Sequence, residues 1–290
     1  MRLNPFNPDN IRVRDHGGGG GFPGGGGGQL GCGAIVIALI GSIVFGIDPA
    51  QMLGTMDQIQ QSGGSSQQAP AGTDAASSCA AYGDYGRESC SALASLNETW
   101  QPVFQQAGVA FEQPTLNFYR QGTRSGCGAA QSAMGPFYCP ADQGIYLDTT
   151  FFDQMAQQMG AGGDFARVYV MAHEYGHHIQ QLTGVADAVR QQQQSNPPQA
   201  NQWQVRMELQ ADCYAGAWAG KNRTLIEPGD FEEGMTAASA IGDDTLMRNS
   251  GQQVNPESFT HGSSAQRMQA LRLGLESGDD RQCDRIVPLG

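Results

Sequence analysis

Lysine is almost absent from this chain: Lys221 is its single example among 290 residues. Lysine and arginine together number 16, against 28 aspartates and glutamates, and the formal net charge is −12. A protein that binds nucleic acid neutralises phosphates with many basic side chains. We therefore expect no nucleic-acid partner.

Charge of either sign is missing from residues 30–47, "LGCGAIVIALIGSIVFGI". Eighteen uncharged, mostly apolar residues are just long enough to span a hydrocarbon core of about 30 Å as a helix. Three arginines precede this run and the next one is Arg87, so the charge bias places the N-terminus in the cytoplasm. We predict a single-pass anchor in the cell membrane, with the rest of the chain on the extracytoplasmic side, periplasmic or extracellular.

Two other interpretations of this run stay open. A cleaved signal peptide has a short charged start and a small-residue cleavage site, and neither is clear here. A buried core helix is the second alternative, although eighteen residues without a strongly polar side chain make a poor surface for a soluble protein.

Composition divides the chain into four predicted parts. Residues 1–29 form a glycine-rich cytoplasmic head, residues 30–47 the transmembrane anchor, and residues 48–78 a flexible linker rich in Gln, Ser, Gly and Ala. The folded domain is predicted over residues 79–290. It contains six cysteines, an even number that an oxidising compartment would pair.

Sequence proximity favours two cysteine pairings, Cys79 with Cys90 and Cys127 with Cys139. Six cysteines allow fifteen connectivities, so the full assignment is not readable from the sequence. Reduced thiols in a packed core are the alternative.

The domain begins with mixed structure and continues with helices. Strands are predicted within residues 114–122 and 144–152, separated by a glycine- and proline-rich loop over residues 127–140. Helices are predicted over residues 89–107, from Asp164 to Gly184, over residues 201–218, after Asp230, and from Ser263 or Ser264. A short strand region followed by several helices indicates one α+β domain.

Histidine is also scarce, and three of the five histidines lie in "MAHEYGHHIQQLTG", residues 171–184. On a helix, His173 and His177 are one turn apart and project from the same face, so both imidazoles can reach one metal ion. Glu174 then lies beside the first ligand, where it can act as a general base. Core histidines on an amphipathic helix are the alternative.

A catalytic zinc needs a third protein ligand. The metzincin pattern is excluded, because Gln180 and Thr183 stand where its glycine and third histidine would be. "MELQADCYAGAWAG" instead offers Glu208 and Asp212, four residues apart on one helical face. Our hypothesis is that Glu208 is the third ligand and that Asp212 accepts the outer N–H of His173.

The opposite assignment, with Asp212 as the ligand, stays open, as does a solvated acidic face. His261 lies just before a predicted helix start and is a candidate to stabilise an oxyanion, although a loop histidine bonded to backbone is the alternative. His178 points about 100° away from His177 around the helix, and we interpret it as structural or exposed.

Seven stretches together resemble the bacterial family of putative neutral zinc metallopeptidases with an N-terminal membrane anchor. Besides the glycine-rich head and the apolar run they are "GCGAA", "GPFYCP", "YLD", "HEYGHHIQ", "ELQADCYAG", "IGDD" and "HGSSAQR". The resemblance implies a zincin-like peptidase fold, a small sheet with active-site helices, in which His173 and His177 bind zinc and Glu174 is catalytic. It supports Glu208 as third ligand through likeness to the glutamate-liganded zincins.

The predicted function is zinc-dependent hydrolysis of peptide bonds, with a peptide or protein as substrate. Glu174 takes a proton from the attacking water and passes it to the leaving amine, while His261 helps to hold the oxyanion. In zincins generally the peptide lies along an edge strand, for which "GIYLDTTFF" is the candidate. Manganese or cobalt would also suit these donors.

Two non-catalytic functions compete with hydrolysis. One is a metal-stabilised, membrane-tethered binding or scaffold module. A chain without a glutamate at position 174 would have favoured this function, but Glu174 is present. The other is a structural zinc site, which more usually has four protein ligands, often cysteines.

Overall fold

The computed structural model describes residues 1–17 and 74–288, and within them it contains six strands and ten α-helices. The strands are β1 (Arg12–Asp15), β2 (Thr115–Phe118), β3 (Gly122–Ser125), β4 (Gly128–Gln131), β5 (Phe137–Cys139) and β6 (Gly144–Leu147). The helices are α1 (Ala75–Ala80), α2 (Gly83–Ala107), α3 (Thr150–Gln158), α4 (Asp164–Leu182), α5 (Val185–Ser195), α6 (Ala200–Lys221), α7 (Asp230–Ala240), α8 (Asp243–Asn249), α9 (Ser264–Ser277) and α10 (Asp280–Asp284).

The main sheet has four strands in the order β1-β2-β6-β5. The first three are parallel and β5 is antiparallel to β6. All four residues of β6 are buried, as is typical of a strand paired on both sides. The expectation that "GIYLDTTFF" forms an edge strand is therefore wrong: β6 is internal, and Thr150 already begins α3.

The stretch predicted as a loop, residues 127–140, contains two short strands. β4 pairs with β3 in a separate hairpin, and β5 forms the edge of the main sheet. Glycine and proline punctuation concealed these strands because each has only three or four residues, too few to show a periodic pattern.

The predicted fold class, an α+β zincin-like domain behind a single N-terminal transmembrane helix, is wrong in its membrane component. The observed class is α+β, with a small sheet and mostly helices. In residues 1–17 and 74–288, no helix combines the length and the apolar character needed to cross a membrane. The predicted anchor, residues 30–47, lies outside the described residues.

The first residues of the chain belong to the same folded body as the domain. β1 pairs with β2 in parallel, with Val13 beside Leu116, and Ile11 is buried in the main core. The α-amino group of Met1 contacts the carboxylate of Asp164 at the start of α4, at 2.6 Å.

The core of the helical layer is the packing of α4 and α9 against α6. Gly176 of α4 faces Ala211 of α6, where an added Cβ would come within 2.8 Å of the Ala211 Cα. Gly216 of α6 likewise faces the backbone of Leu271 in α9. Because these glycines let the helix backbones approach closely, side chains on α4 and α6 can reach a common ion.

Three disulfides stabilise the domain, and the two pairings favoured by sequence proximity are confirmed. Cys79–Cys90 joins α1 to α2, and Cys127–Cys139 joins the β3–β4 hairpin to β5. The third, Cys213–Cys283, ties α6 to α10 across 70 residues of sequence. Closing such a long loop restricts the unfolded chain most strongly.

His178 of α4 is fully buried, and its hydrogen bonds determine which ring nitrogen carries the proton. The Glu112 carbonyl can only accept, so Nε2 of His178 donates to it at 2.6 Å. Nδ1 then accepts from the Tyr138 hydroxyl at 3.0 Å. Burial lowers the pKa of His178 from 6.5 to about 4, although the hydrogen bond to Glu112 acts in the opposite direction.

His178 should therefore make the domain less stable in mild acid. The unfolded chain takes up this proton near pH 6.5 and the folded chain only near pH 4, so roughly 3 kcal/mol of unfolding free energy is lost as the pH falls through that window. Urea unfolding with a chelator present, at pH 7 and pH 4.5, should show a weaker pH dependence for His178→Gln. Equal pH dependence of the two proteins would contradict the assignment.

Candidate metal centre

Two helices bring His173, His177 and Glu208 together. Their ligand atoms all lie within 4.8 Å of one another, with His173 Nε2 3.2 Å and His177 Nε2 3.6 Å from Glu208 Oε2. Ligands about 2.0 to 2.1 Å from a tetrahedral zinc are themselves about 3.4 Å apart. The spacing of these donors therefore fits a zinc ion.

His173 is held by a buried ionic network on its far side. Nδ1 of His173 donates to Asp212 Oδ1 at 2.8 Å, so Asp212 lies on the side of the ring opposite to Glu208. The Tyr169 hydroxyl donates to the same oxygen at 2.6 Å. Arg267 of α9 binds both Asp212 oxygens, at 2.8 and 2.9 Å, and is itself buried.

The other two candidate ligands have neutral partners. Nδ1 of His177 donates to the amide oxygen of Gln180, at 2.9 Å. The Gln180 amide nitrogen in turn donates to the Met207 carbonyl of α6 at 2.8 Å. Gln204, one turn before Glu208, donates to Glu208 Oε1 at 2.9 Å. Each candidate ligand is thus oriented through the atom that does not face the other ligands.

Neighbouring charges shift the pKa values of His173 and Asp212 in opposite directions. Burial alone would lower the pKa of His173, but the charge of Asp212 and hydrogen bonds to Asp212 and Glu208 outweigh it and raise the pKa to about 10. Burial would raise the pKa of Asp212, yet Arg267 and His173 bring it down to about 2. A proton and a metal ion compete for Nε2 of His173, so metal uptake at this centre should release protons.

Glu174 lies beside the candidate ligands but outside their group. It is buried, and burial raises the pKa of its carboxyl while the two neighbouring imidazoles act to lower it. The backbone N–H of Tyr138 faces this carboxylate. Because Tyr138 is in β5, the outermost strand of the sheet within the described residues borders the metal centre.

His261 is buried on the loop before α9, which begins at Ser264 as predicted. It is not part of the ligand group. Its loop packs on α6 beside Glu208: an added Cβ at Gly262 would lie 3.3 Å from Val205 and 3.4 Å from Leu209. Burial would raise the pKa of Glu208, but His177, His173 and His261 hold it well below its usual range.

Five residues at or near this centre were not predicted from the sequence to be functional: Tyr169, Gln180, Gln204, Asp243 and Arg267. Two of them carried a signal, because Gln180 follows His177 by three residues and Gln204 precedes Glu208 by four, the spacings at which helical side chains meet. Arg267 of α9 reaches Asp212, and Asp243 of α8 reaches the His261 ring at 3.0 Å, and no local spacing predicts such contacts.

Arg267→Met should destabilise the protein strongly. Removing the guanidinium leaves Asp212 buried without its cation, and breaking a buried pair from one side costs about 3 to 5 kcal/mol. Arg248→Met is a matched control, because Arg248 forms an exposed pair with Asp244 whose loss should cost about 1 kcal/mol or less. Urea unfolding of both variants measures the difference, and equal losses would contradict the role given to Arg267.

Sequence similarity to curated relatives extends over about two thirds of the chain. The "Uncharacterized protein YpfJ" of Escherichia coli (strain K12) is 50% identical over 195 residues, which cover 66% of this chain and 68% of that protein. The "Uncharacterized protein Rv2575" of Mycobacterium tuberculosis (strain ATCC 25618 / H37Rv) is 39% identical over 203 residues, covering 66% and 67%. No solved structure matches the chain. A family model does match, over residues 4–286, and the chain belongs to that family, described as "Putative neutral zinc metallopeptidase".

Proposed function

We propose that this protein is a zinc-dependent peptidase whose centre consists of His173, His177 and Glu208. The observation that carries the proposal is the convergence of two imidazoles and one carboxylate whose ligand atoms lie within 4.8 Å of one another, with a further buried carboxylate, Glu174, beside them. Three protein ligands leave a fourth position for water or substrate, as catalytic zinc requires.

Zinc at this centre supplies a Lewis acid that polarises the peptide carbonyl and makes water a better nucleophile at neutral pH. Glu174 takes the proton of the attacking water and returns it to the leaving amine. Its raised pKa suits this cycle, because a base must also be able to give its proton back. His261 donates a hydrogen bond to the carbonyl oxygen as negative charge develops there.

The substrate in this proposal is an extended peptide or a protein segment lying along β5. Among residues 1–17 and 74–288, β5 pairs only with β6, and the Tyr138 N–H faces Glu174. A peptide that paired with β5 would place its backbone next to the proposed base. The three disulfides support work in an oxidising compartment.

The test is metal content and hydrolysis by the full chain, since β1 belongs to the sheet and a truncated domain would lack it. Mass spectrometry should find about one zinc per chain, and the protein should cleave casein, an unfolded substrate. A chelator should abolish cleavage and added zinc should restore it. Folded protein that binds no zinc would refute the proposal, and zinc without cleavage of any peptide would favour the scaffold function.

A further inference from the structure

Asp243, the first residue of α8, makes four hydrogen bonds to the loop that carries His261. Its Oδ2 accepts from three successive backbone N–H groups, those of Thr260 at 2.7 Å, His261 at 2.7 Å and Gly262 at 3.0 Å. Its Oδ1 lies 3.0 Å from Nδ1 of the His261 ring. One buried carboxylate therefore holds both the backbone and the side chain of the same residue.

These contacts determine where the His261 ring carries a proton. An ionised carboxylate can only accept hydrogen bonds, so Nδ1 of His261 donates to Asp243. The Thr260 hydroxyl also lies 3.1 Å from this nitrogen. Within residues 1–17 and 74–288, Nε2 makes no hydrogen bond, and it is not among the fully buried atoms that lack one. It is therefore the ring atom that remains accessible.

The loop that carries the His261 ring lies beside the metal centre. Gly262 of this loop packs against Val205 and Leu209, which flank Glu208 on α6, and His261 is among the groups that lower the pKa of Glu208. A ring that donates through Nε2 while Nδ1 keeps its own proton is positively charged. A buried carboxylate in contact with Nδ1 is the group that stabilises that charge.

We propose that Asp243 is the positioning residue for His261: it fixes the ring so that Nδ1 keeps a proton and Nε2 is presented to the carbonyl oxygen of the scissile bond. This inference rests on the proposed function, because it needs a peptide carbonyl at the centre. In this role Asp243 acts through His261 and its loop, and it is not one of the grouped ligand residues.

The adjacent Asp244 provides a matched comparison within the chain. Its Oδ1 accepts from the backbone N–H of Ser264 at 2.7 Å and from the Ser264 hydroxyl at 2.8 Å. It thus fastens the end of the same loop to α8 but makes no hydrogen bond to His261. A purely structural role of α8 would be shared by both aspartates, whereas positioning of the ring belongs to Asp243 alone.

The kinetic test compares four variants of the zinc-loaded full chain: Asp243→Asn, His261→Ala, the double variant, and Asp244→Asn. In Asp243→Asn the amide can still accept from the loop backbone but turns an NH₂ group toward Nδ1. On fluorescently labelled casein, His261→Ala should lower kcat about 10²- to 10³-fold and Asp243→Asn about 10- to 100-fold, with KM nearly constant. Asp244→Asn should stay within a few-fold of the unmodified chain.

The double variant decides between positioning and structure. If Asp243 acts through His261, Asp243→Asn should cost nothing further once the ring is gone, and the double variant should match His261→Ala. If Asp243→Asn costs the same in both backgrounds, the proposal is overturned. Zinc content should remain about one per chain in all four variants.

A second readout does not depend on catalysis. Nitrogen-15 NMR of the histidine rings, with His261→Ala used to assign the signal, should show a protonated Nδ1 on His261 in the unmodified chain and in Asp244→Asn. That proton should be lost in Asp243→Asn. If the unmodified chain binds zinc but cleaves nothing, the proposed function fails. The nitrogen-15 signal of the His261 ring still shows in that case whether Nδ1 carries the proton that it donates to Asp243. An unprotonated Nδ1 in the unmodified chain would overturn the inference even if casein is cleaved.

Discussion

Glu174→Gln should abolish hydrolysis while leaving the zinc content unchanged. The amide has the shape of the carboxylate but cannot take a proton from water, and loss of a general base typically costs about 10²- to 10⁴-fold. Zinc should be retained because Glu174 is not one of the three grouped ligand residues. Casein cleavage and metal analysis of the same preparation measure both effects.

The matched control for this variant is Glu98→Gln, which makes the same chemical change at an exposed position of α2. It should cleave casein like the unmodified chain. Substantial cleavage by Glu174→Gln would show that another group is the base. Loss of zinc from it would show that Glu174 is a ligand, and the proposed division of roles would then be wrong.

Glu208→Ala should cause the largest loss of zinc affinity. Glu208 Oε2 lies between the two imidazoles, 3.2 Å and 3.6 Å from their Nε2 atoms, so its removal takes away one of three ligands. Asp212→Asn removes only the outer partner of His173, whose loss typically costs 10- to 100-fold. Competition with a chelator of known affinity, at one fixed pH, should rank Glu208→Ala as clearly weaker than Asp212→Asn.

The reverse order would support the alternative in which Asp212 is the ligand. Gln204→Ala is the control, because it removes the hydrogen bond to Glu208 Oε1 but no ligand. Its zinc affinity should lie between those of the unmodified chain and Glu208→Ala. Circular dichroism of each variant separates loss of metal from loss of fold.

Some features of this molecule depend only on short stretches of sequence. The placement of His173, Glu174 and His177 on one helical face follows from a repeat of 3.6 residues per turn, and the same is true of Glu208 and Asp212. The pairing of Cys79 with Cys90 follows from proximity. Such patterns are local, so they can be read before the fold is known.

Other features were misjudged for an equally physical reason. Apolar composition at residues 30–47 predicted a spanning helix, whereas no helix within residues 1–17 and 74–288 is long and apolar enough to cross a membrane, and composition also does not reveal that β1 pairs with β2. The proposed substrate strand was assigned to β6 rather than to β5, because strand order depends on partners far apart in sequence. Parallel neighbours need a crossover connection, so β2 and β6 are adjacent in the sheet but not in the chain.

By itself, then, the sequence determined the helix faces that carry the candidate metal ligands, two of the disulfides and the family. Only the tertiary structure decided which buried groups orient those ligands. Arg267 contacts Asp212, which is 55 residues away in the sequence. Asp243 contacts His261, which is 18 residues away on the loop between α8 and α9. Contacts of this kind depend on how helices pack, and helix packing is determined by the shape and volume of the whole core.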